Sequence, residues 1–121
     1  MAVCISCRFC VSWQLATCEQ TRLEILWSAK NASDYDELAE ELLSLRQLPT
    51  GVEAFQRALE VQQLLAHTGG LHHRSVKIAD LLIAATAELH GATVLHYDQD
   101  FDRVTDITGQ PTEWITTRGS I

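Results

Sequence analysis

Three acids in this chain, Asp80, Asp98 and Glu24, have neighbours that make them worth weighing for chemistry. Asp80 interrupts the apolar stretch Ile78 to Ala85. Burying a lone carboxylate is expensive. Pairing with Lys77, the positive end of its own helix or a metal ion would each relieve it. Asp98 follows the apolar run 92–97 and suits an N-cap as well as a ligand. Glu24 lies among Leu23, Ile25 and Leu26. A charge on an amphipathic helix is ordinarily just solvated, so composition alone does not select it. Asp98, Asp100 and Asp102 alternate like a calcium loop, but an EF-hand starting at Asp98 needs Gly at 103 and Glu at 109. Arg103 and Gly109 stand there.

Two other groupings compete. Cys4, Cys7 and Cys10, with Cys18 further on, have the spacing of iron–sulfur or zinc ligands. The turn glycines such sites carry are absent. His72 and His73 are adjacent, so in extended chain they point to opposite sides. They read as a solvent-facing loop pair or as a general acid–base group. No Ser–His–Asp arrangement emerges around Ser120 or the other hydroxyls.

The elements that position these residues can be traced by periodicity. Residues 14–18 read as a short strand. Residues 19–30 form a helix with Leu23, Leu26 and Trp27 at three- and four-residue spacing. Ser33 or Asp34 caps a second helix at 34–47, with Leu38, Leu42 and Leu45 inward. Pro49 stops it, and Thr50 caps a third at 51–67 whose apolar stripe is Val52, Phe55, Leu59 and Leu64. Gly69-Gly70 ends that helix. A fourth helix covers 75–90, a buried strand 92–97, a short helix 99–107 and a last strand 113–116. Such alternation indicates an α/β layer fold with a mainly parallel sheet. From Asp80 the fourth helix runs on for ten residues, about 15 Å. The strand at 92–97 then returns about 20 Å. Asp98 therefore arrives at the same end of the layer as Asp80. That carboxyl edge is where α/β sheets bind ligands, and two acids meeting there point to a divalent cation.

Bulk properties bound the reading. With 121 residues, 46% hydrophobic and 21% charged, the chain suits one packed domain. No apolar run approaches the ~18 residues of a membrane span. Residues 1–11 lack the charged lead and long apolar block of a secretory signal. The four cysteines crowd into the first 18 residues, unlike a disulfide scaffold, and a reducing cytoplasm is expected. The net charge of −7 argues against broad phosphate binding by a basic surface. It leaves a short nucleic-acid footprint helped by cations, or a basic protein partner.

Three segments carry a family resemblance: Thr21-Arg-Leu-Glu-Ile-Leu, Lys77-Ile-Ala-Asp-Leu-Leu-Ile-Ala-Ala and His96-Tyr-Asp-Gln-Asp-Phe-Asp-Arg-Val. In order and separation they resemble the second, third and fourth acidic motifs of PIN domains, and in particular VapC toxins of VapBC toxin–antitoxin pairs. The ending Gly109-Gln-Pro-Thr-Glu-Trp-Ile fits as well. The resemblance covers residues 14–121 and implies a three-layer αβα fold with a small, mainly parallel sheet. It implies Glu24, Asp80 and Asp98 as ligands of Mg²⁺ or Mn²⁺, with Asp100 as a helper beside them. The implied activity is hydrolysis of RNA phosphodiester bonds by a metal-activated water. The implied partners are a VapB-like antitoxin and a second copy of the chain, with the 34–67 hairpin as the surface for either.

One departure stands out. PIN domains open with a strand carrying an Asp in an Asp-Thr-Ser-like motif, and here no Asp precedes Asp34. Residues 1–13 read as a foreign Cys-containing segment that replaces this strand and its helix, with 14–121 as an N-terminally incomplete PIN-like domain. A misplaced start or a frameshift would produce this. The expected consequences are an exposed sheet edge, weaker metal binding and reduced cleavage. A catalytically decayed toxin that only binds its antitoxin is the alternative.

Overall fold

The computed structural model describes residues 2–9 and 12–114, with side chains from Leu15 to Trp114. Five strands form one sheet: β1 (Ala2–Phe9), β2 (Ser12–Thr17), β3 (Arg46–Gln47), β4 (Thr93–His96) and β5 (Thr112–Trp114). Their order is β3-β2-β1-β4-β5. The helices are α1 (Glu19–Trp27), α2 (Ala32–Leu43), α3 (Val52–His67), α4 (Ile78–Leu89) and α5 (Asp100–Thr108). A 3-10 turn covers His72–Arg74.

Strand direction explains the layout. β2 is parallel to β3, and β4 is parallel to β5. β1 is antiparallel to both β2 and β4, so β2, β3, β4 and β5 all point the same way. The sheet is mainly parallel, with one reversed strand at its centre. The chain leaves β2 for β3 in one direction across the sheet, then crosses back to β4 and on to β5. α1 packs against α2 and α4, and α4 packs in turn against α3 and α5. The α/β layer reading from the sequence is realised. The exposed sheet edge expected at the first strand is not seen: β1 pairs with β2 on one side and β4 on the other. Its register sets Ala2 opposite His96 and Ile5 opposite both Ala16 and Val94. Without β1, β2 and β4 would stand about 10 Å apart, two strand spacings, with no ladder between them.

The core forms around α4. From Asp80 to Ala87 every residue of that helix is buried, as its nearly all-apolar sequence requires. Ile83, Val94, Phe101 and Val104 are fully enclosed with it. On α3 the buried residues are Ala54, Ala58, Val61 and Leu65. This corrects the sequence expectation, which turned Val52, Phe55, Leu59 and Leu64 inward. Those four are 69%, 53%, 66% and 45% exposed. The small Ala54 and Ala58 lie on the enclosed face and the bulky residues lie outside. The cap of α2 is also corrected. Asn31 Oδ1 accepts the Asp34 N–H at 2.8 Å, and Asp34 Oδ2 accepts the Lys30 N–H at 3.0 Å. This is a reciprocal arrangement of the capping-box kind, displaced by one residue.

Polar ties hold the helices in position. Glu19, in the first turn of α1, accepts the Thr50 N–H at 2.7 Å, and Thr50 Oγ1 meets Thr86 Oγ1 of α4 at 2.9 Å. Arg57 of α3 makes two bonds to Glu88 of α4, at 2.6 and 3.2 Å. The enclosed Gln110 donates to the Ala84 carbonyl at 2.9 Å.

Candidate metal centre

Asp80 falls in the first turn of α4. The helix faces the sheet on its apolar sides, so the carboxylate is carried inside with it and is only 1% exposed. Lys77, immediately before the helix, does not rescue it: its ammonium bonds Asp98 Oδ2 instead, at 3.0 Å. Asp80 Oδ2 has no hydrogen-bond partner. Burial, and then the negative charge of Asp98, push Asp80 up to about 7.

Asp98 leaves the carboxyl end of β4 and turns the chain into α5. Its Oδ1 accepts the Asp100 N–H at 3.0 Å and its main-chain carbonyl accepts the Phe101 N–H at 3.2 Å. The capping role that the sequence allowed is present in this bond. Burial raises Asp98, but the Asp100 N–H and the Lys77 ammonium outweigh it and hold the carboxyl at about 2. The turn swings Asp100 back toward α4, where its Oδ2 accepts the Lys77 N–H at 3.3 Å. Asp100 is 7% exposed.

Asp80, Asp98 and Asp100 each offer a carboxylate oxygen to one group, with all three atoms within 4.8 Å of one another. Two oxygens on opposite sides of an octahedral Mg²⁺ lie about 4.2 Å apart. Three oxygen donors at this spacing, one of them an orphaned buried carboxylate oxygen, fit a small hard divalent cation. Charge supports the same fit: a cation would offset the burial and the neighbouring charge of Asp98 that raise Asp80.

Glu24 is placed differently. It sits on α1 with Oε2 buried and unpartnered. Burial raises its pKa, and Lys77 pulls it back down. It faces the same lysine as Asp98 without joining the tight group of three. Asp100 takes the third place there, through an Asx turn that the short Asp-x-Asp spacing of 98 and 100 encodes.

Two further residues support the group: Lys77, which the sequence offered as a partner for Asp80, and His96, which it did not single out. Lys77 has its pKa raised by the bond to Asp98, and further by the charges of Asp98, Asp80 and Asp100. His96 is fully enclosed between the rings of Phe101 and Trp114, at 4.9 and 4.8 Å. Its Nδ1 accepts the Asp98 N–H at 3.2 Å, which fixes the direction in which Asp98 leaves the strand. Burial lowers the His96 pKa and favours the neutral ring this bond requires. Its alternation with Asp98 along the strand was the available signal.

The remaining candidates fall elsewhere. His72 and His73 form part of the 3-10 turn, outside the acidic group. Cys18 is buried and free, 3.5 Å from Thr21 Oγ1. The side chains of Cys4 and Cys7, and all of Cys10, lie outside the described residues. No helix among the described residues is long and apolar enough to cross a membrane.

The chain is similar to known proteins over most of its length. A family model described as the PIN domain matches residues 13–107. A protein named Ribonuclease VapC18, from Mycobacterium tuberculosis, is 61% identical over 108 residues, which span 89% of this chain and 79% of that protein. Ribonuclease VapC21 of the same organism is 45% identical, over 88% of this chain and 76% of its own length. A crystal structure described as VapBC-5, a member of the VapBC family of toxin–antitoxin systems from Mycobacterium tuberculosis, superposes with a TM-score of 0.57 at 27% identity. The match covers 84% of this chain and 81% of that one.

Proposed function

This chain belongs to the PIN-domain family, and from that premise we propose that it is a VapC-type endoribonuclease toxin, metal-dependent and neutralised by a VapB-like antitoxin. The observation that carries this reading is the buried Asp80 carboxylate, with Oδ2 unpartnered, beside Asp98 and Asp100. We assign Asp80 and Asp98 as ligands of Mg²⁺ or Mn²⁺, and Asp100, by its position, as a third. Glu24 would act from α1 across Lys77, holding a water or closing the ion's outer sphere. A bound cation supplies an activated water for attack on the RNA phosphorus and offsets charge on the phosphoryl oxygens. The chain's own part is to orient. The Asp100 N–H and Lys77 fix the Asp98 carboxylate, His96 fixes its backbone, and α4 holds Asp80 rigidly.

Added Mg²⁺ or Mn²⁺ is expected to start cleavage of single-stranded RNA, and EDTA to stop it. Asp98→Asn should lower the rate at least 100-fold with the fold unchanged by circular dichroism. Cleavage that persists in EDTA would refute the metal assignment. We further assign residues 14–121 to the nuclease domain, with residues 1–13 substituting for its usual first strand. The family's first acid is absent from this segment, so the rate is expected to fall below that of a relative with four acids.

We also propose a homodimer through the outer face of α3. Val52, Phe55 and Leu59 are exposed there, with Ile78 of α4 at 71%. Phe55, Leu59, Ile78 and Leu82 line a cavity of about 230 Å³ between the two helices. An apolar patch of this kind marks an interface. Sedimentation should show a dimer that Phe55→Glu converts to a monomer. A monomeric wild type at micromolar concentration would refute it.

A further inference from the structure

A second feature lies one helical turn from the acids. Arg103 and His72 line a cavity of about 350 Å³ with Leu65, Thr68, Ile107 and Asp106. The chain as a whole carries a net charge of −7. Arg22, Arg57 and Lys77 are paired with acids. Arg74 and Arg103 enter no ion pair among the described residues, even though Asp106 is three residues from Arg103 on the same helix. The segment from His72 to Lys77 thus leads from this cavity to the acidic group, with Arg74 exposed between them.

The backbone that presents His72 is unusual. Gly69, Gly70 and Leu71 have successive φ values of +85°, +64° and +56°. Leu71 is a branched residue in the left-handed region, where side chains other than glycine are uncommon, and it is 59% exposed, so burial does not explain the conformation. The outcome is the tight turn at 72–74. His72 folds over Gly70, where a Cβ would stand 3.3 Å from its Nε2.

We infer that Arg103 and His72 hold a phosphate of the bound RNA strand, one or two nucleotides from the bond to be cut. The inference rests on the ribonuclease reading above. Arg103 lies one turn, about 5 Å, along α5 from Asp100, so a strand cut at the acids passes close to it. The guanidinium suits a phosphate oxygen pair. In a chain that otherwise repels RNA, this contact fixes which side of the acids the strand runs along.

The test is anisotropy of a labelled, mixed-sequence single-stranded RNA, with Ca²⁺ in place of Mg²⁺ to slow cutting. Arg103→Ala is expected to weaken binding about 5- to 10-fold and to flatten the slope of log affinity against log salt by about 0.7, the value for one lost phosphate contact on a single strand. His72→Ala should act in the same direction with a smaller effect, and Arg103→Lys, which keeps the charge but loses the fork, should restore the salt slope and only part of the affinity. Lys30→Ala removes an exposed charge far along the chain, next to α2, and should change neither quantity. An unchanged slope for Arg103→Ala, or an equal change for Lys30→Ala, overturns the inference. So does an Arg103→Ala protein that binds RNA normally but loses its antitoxin. If the wild type binds no RNA with any cation, the ribonuclease reading itself falls; if it binds and Arg103→Ala binds equally, only the phosphate contact falls.

Discussion

Asp80→Asn is expected to abolish metal-dependent cleavage while making the metal-free protein more stable. The two effects share one cause. The carboxyl is 1% exposed with one oxygen unpartnered, and its pKa in the folded chain is about 7 against an ordinary 3.8. The folded state therefore holds this proton more tightly than the unfolded state. Stability falls as pH rises from about 4 to 7, and the full penalty applies above 7. Asparagine carries no charge and removes the penalty. At pH 8 in EDTA the gain should be about 2 kcal/mol, roughly half of what ~1.4 kcal/mol per pH unit would give without relaxation or help from Lys77. At pH 5 it should be smaller, and below pH 4 it should vanish. Saturating Mn²⁺ should reverse the ranking, because the cation stabilises only the chain that binds it. Urea midpoints at pH 5 and pH 8, each with EDTA and with Mn²⁺, would measure all of this. A variant less stable than wild type in EDTA at pH 8 would mean that Asp80 has a favourable partner in the folded chain.

Ile5→Pro is expected to prevent folding. Ile5 pairs with Ala16 on one side and Val94 on the other, so its backbone belongs to two ladders at the sheet's centre. Proline lacks the N–H and cannot occupy such a position without breaking pairing. The cost is at least about 3 kcal/mol, a large share of the stability of a domain this size. Loss of the far-ultraviolet helix signal, or aggregation on expression, is the expected result. Wild-type-like unfolding of the variant would show that the β2–β3 and β4–β5 pairs hold together without β1.

The comparison between sequence and structure turns on distance along the chain. Helix positions are local, and periodicity placed all five to within a few residues. The buried face of α3 was misread because size was taken as the guide to burial, while Ala54 and Ala58 permit the closer approach. β1 could not be read from its own residues, since its place depends on partners at 12–17 and 93–96. β3 is two residues long and leaves no pattern. At the site, Asp80 and Asp98 converge because a helix and a strand of known rise return the chain to its starting level. Asp100 depends on one turn of backbone, which the spacing hints at and only coordinates fix. Glu24 approaches through α1, whose angle to α4 depends on contacts such as Glu19 to Thr50, far apart in sequence.

The reversed direction of β1 has a practical consequence for handling the protein. In a strand parallel to its neighbours, the first residue would lie at the edge away from the acids. Here Ala2 lies opposite His96, two residues from Asp98. Anything fused ahead of this strand is delivered to the rim of the acidic group. An N-terminal polyhistidine tag would bring imidazoles there, ready to capture manganese or nickel and to imitate or mask binding by Asp80, Asp98 and Asp100.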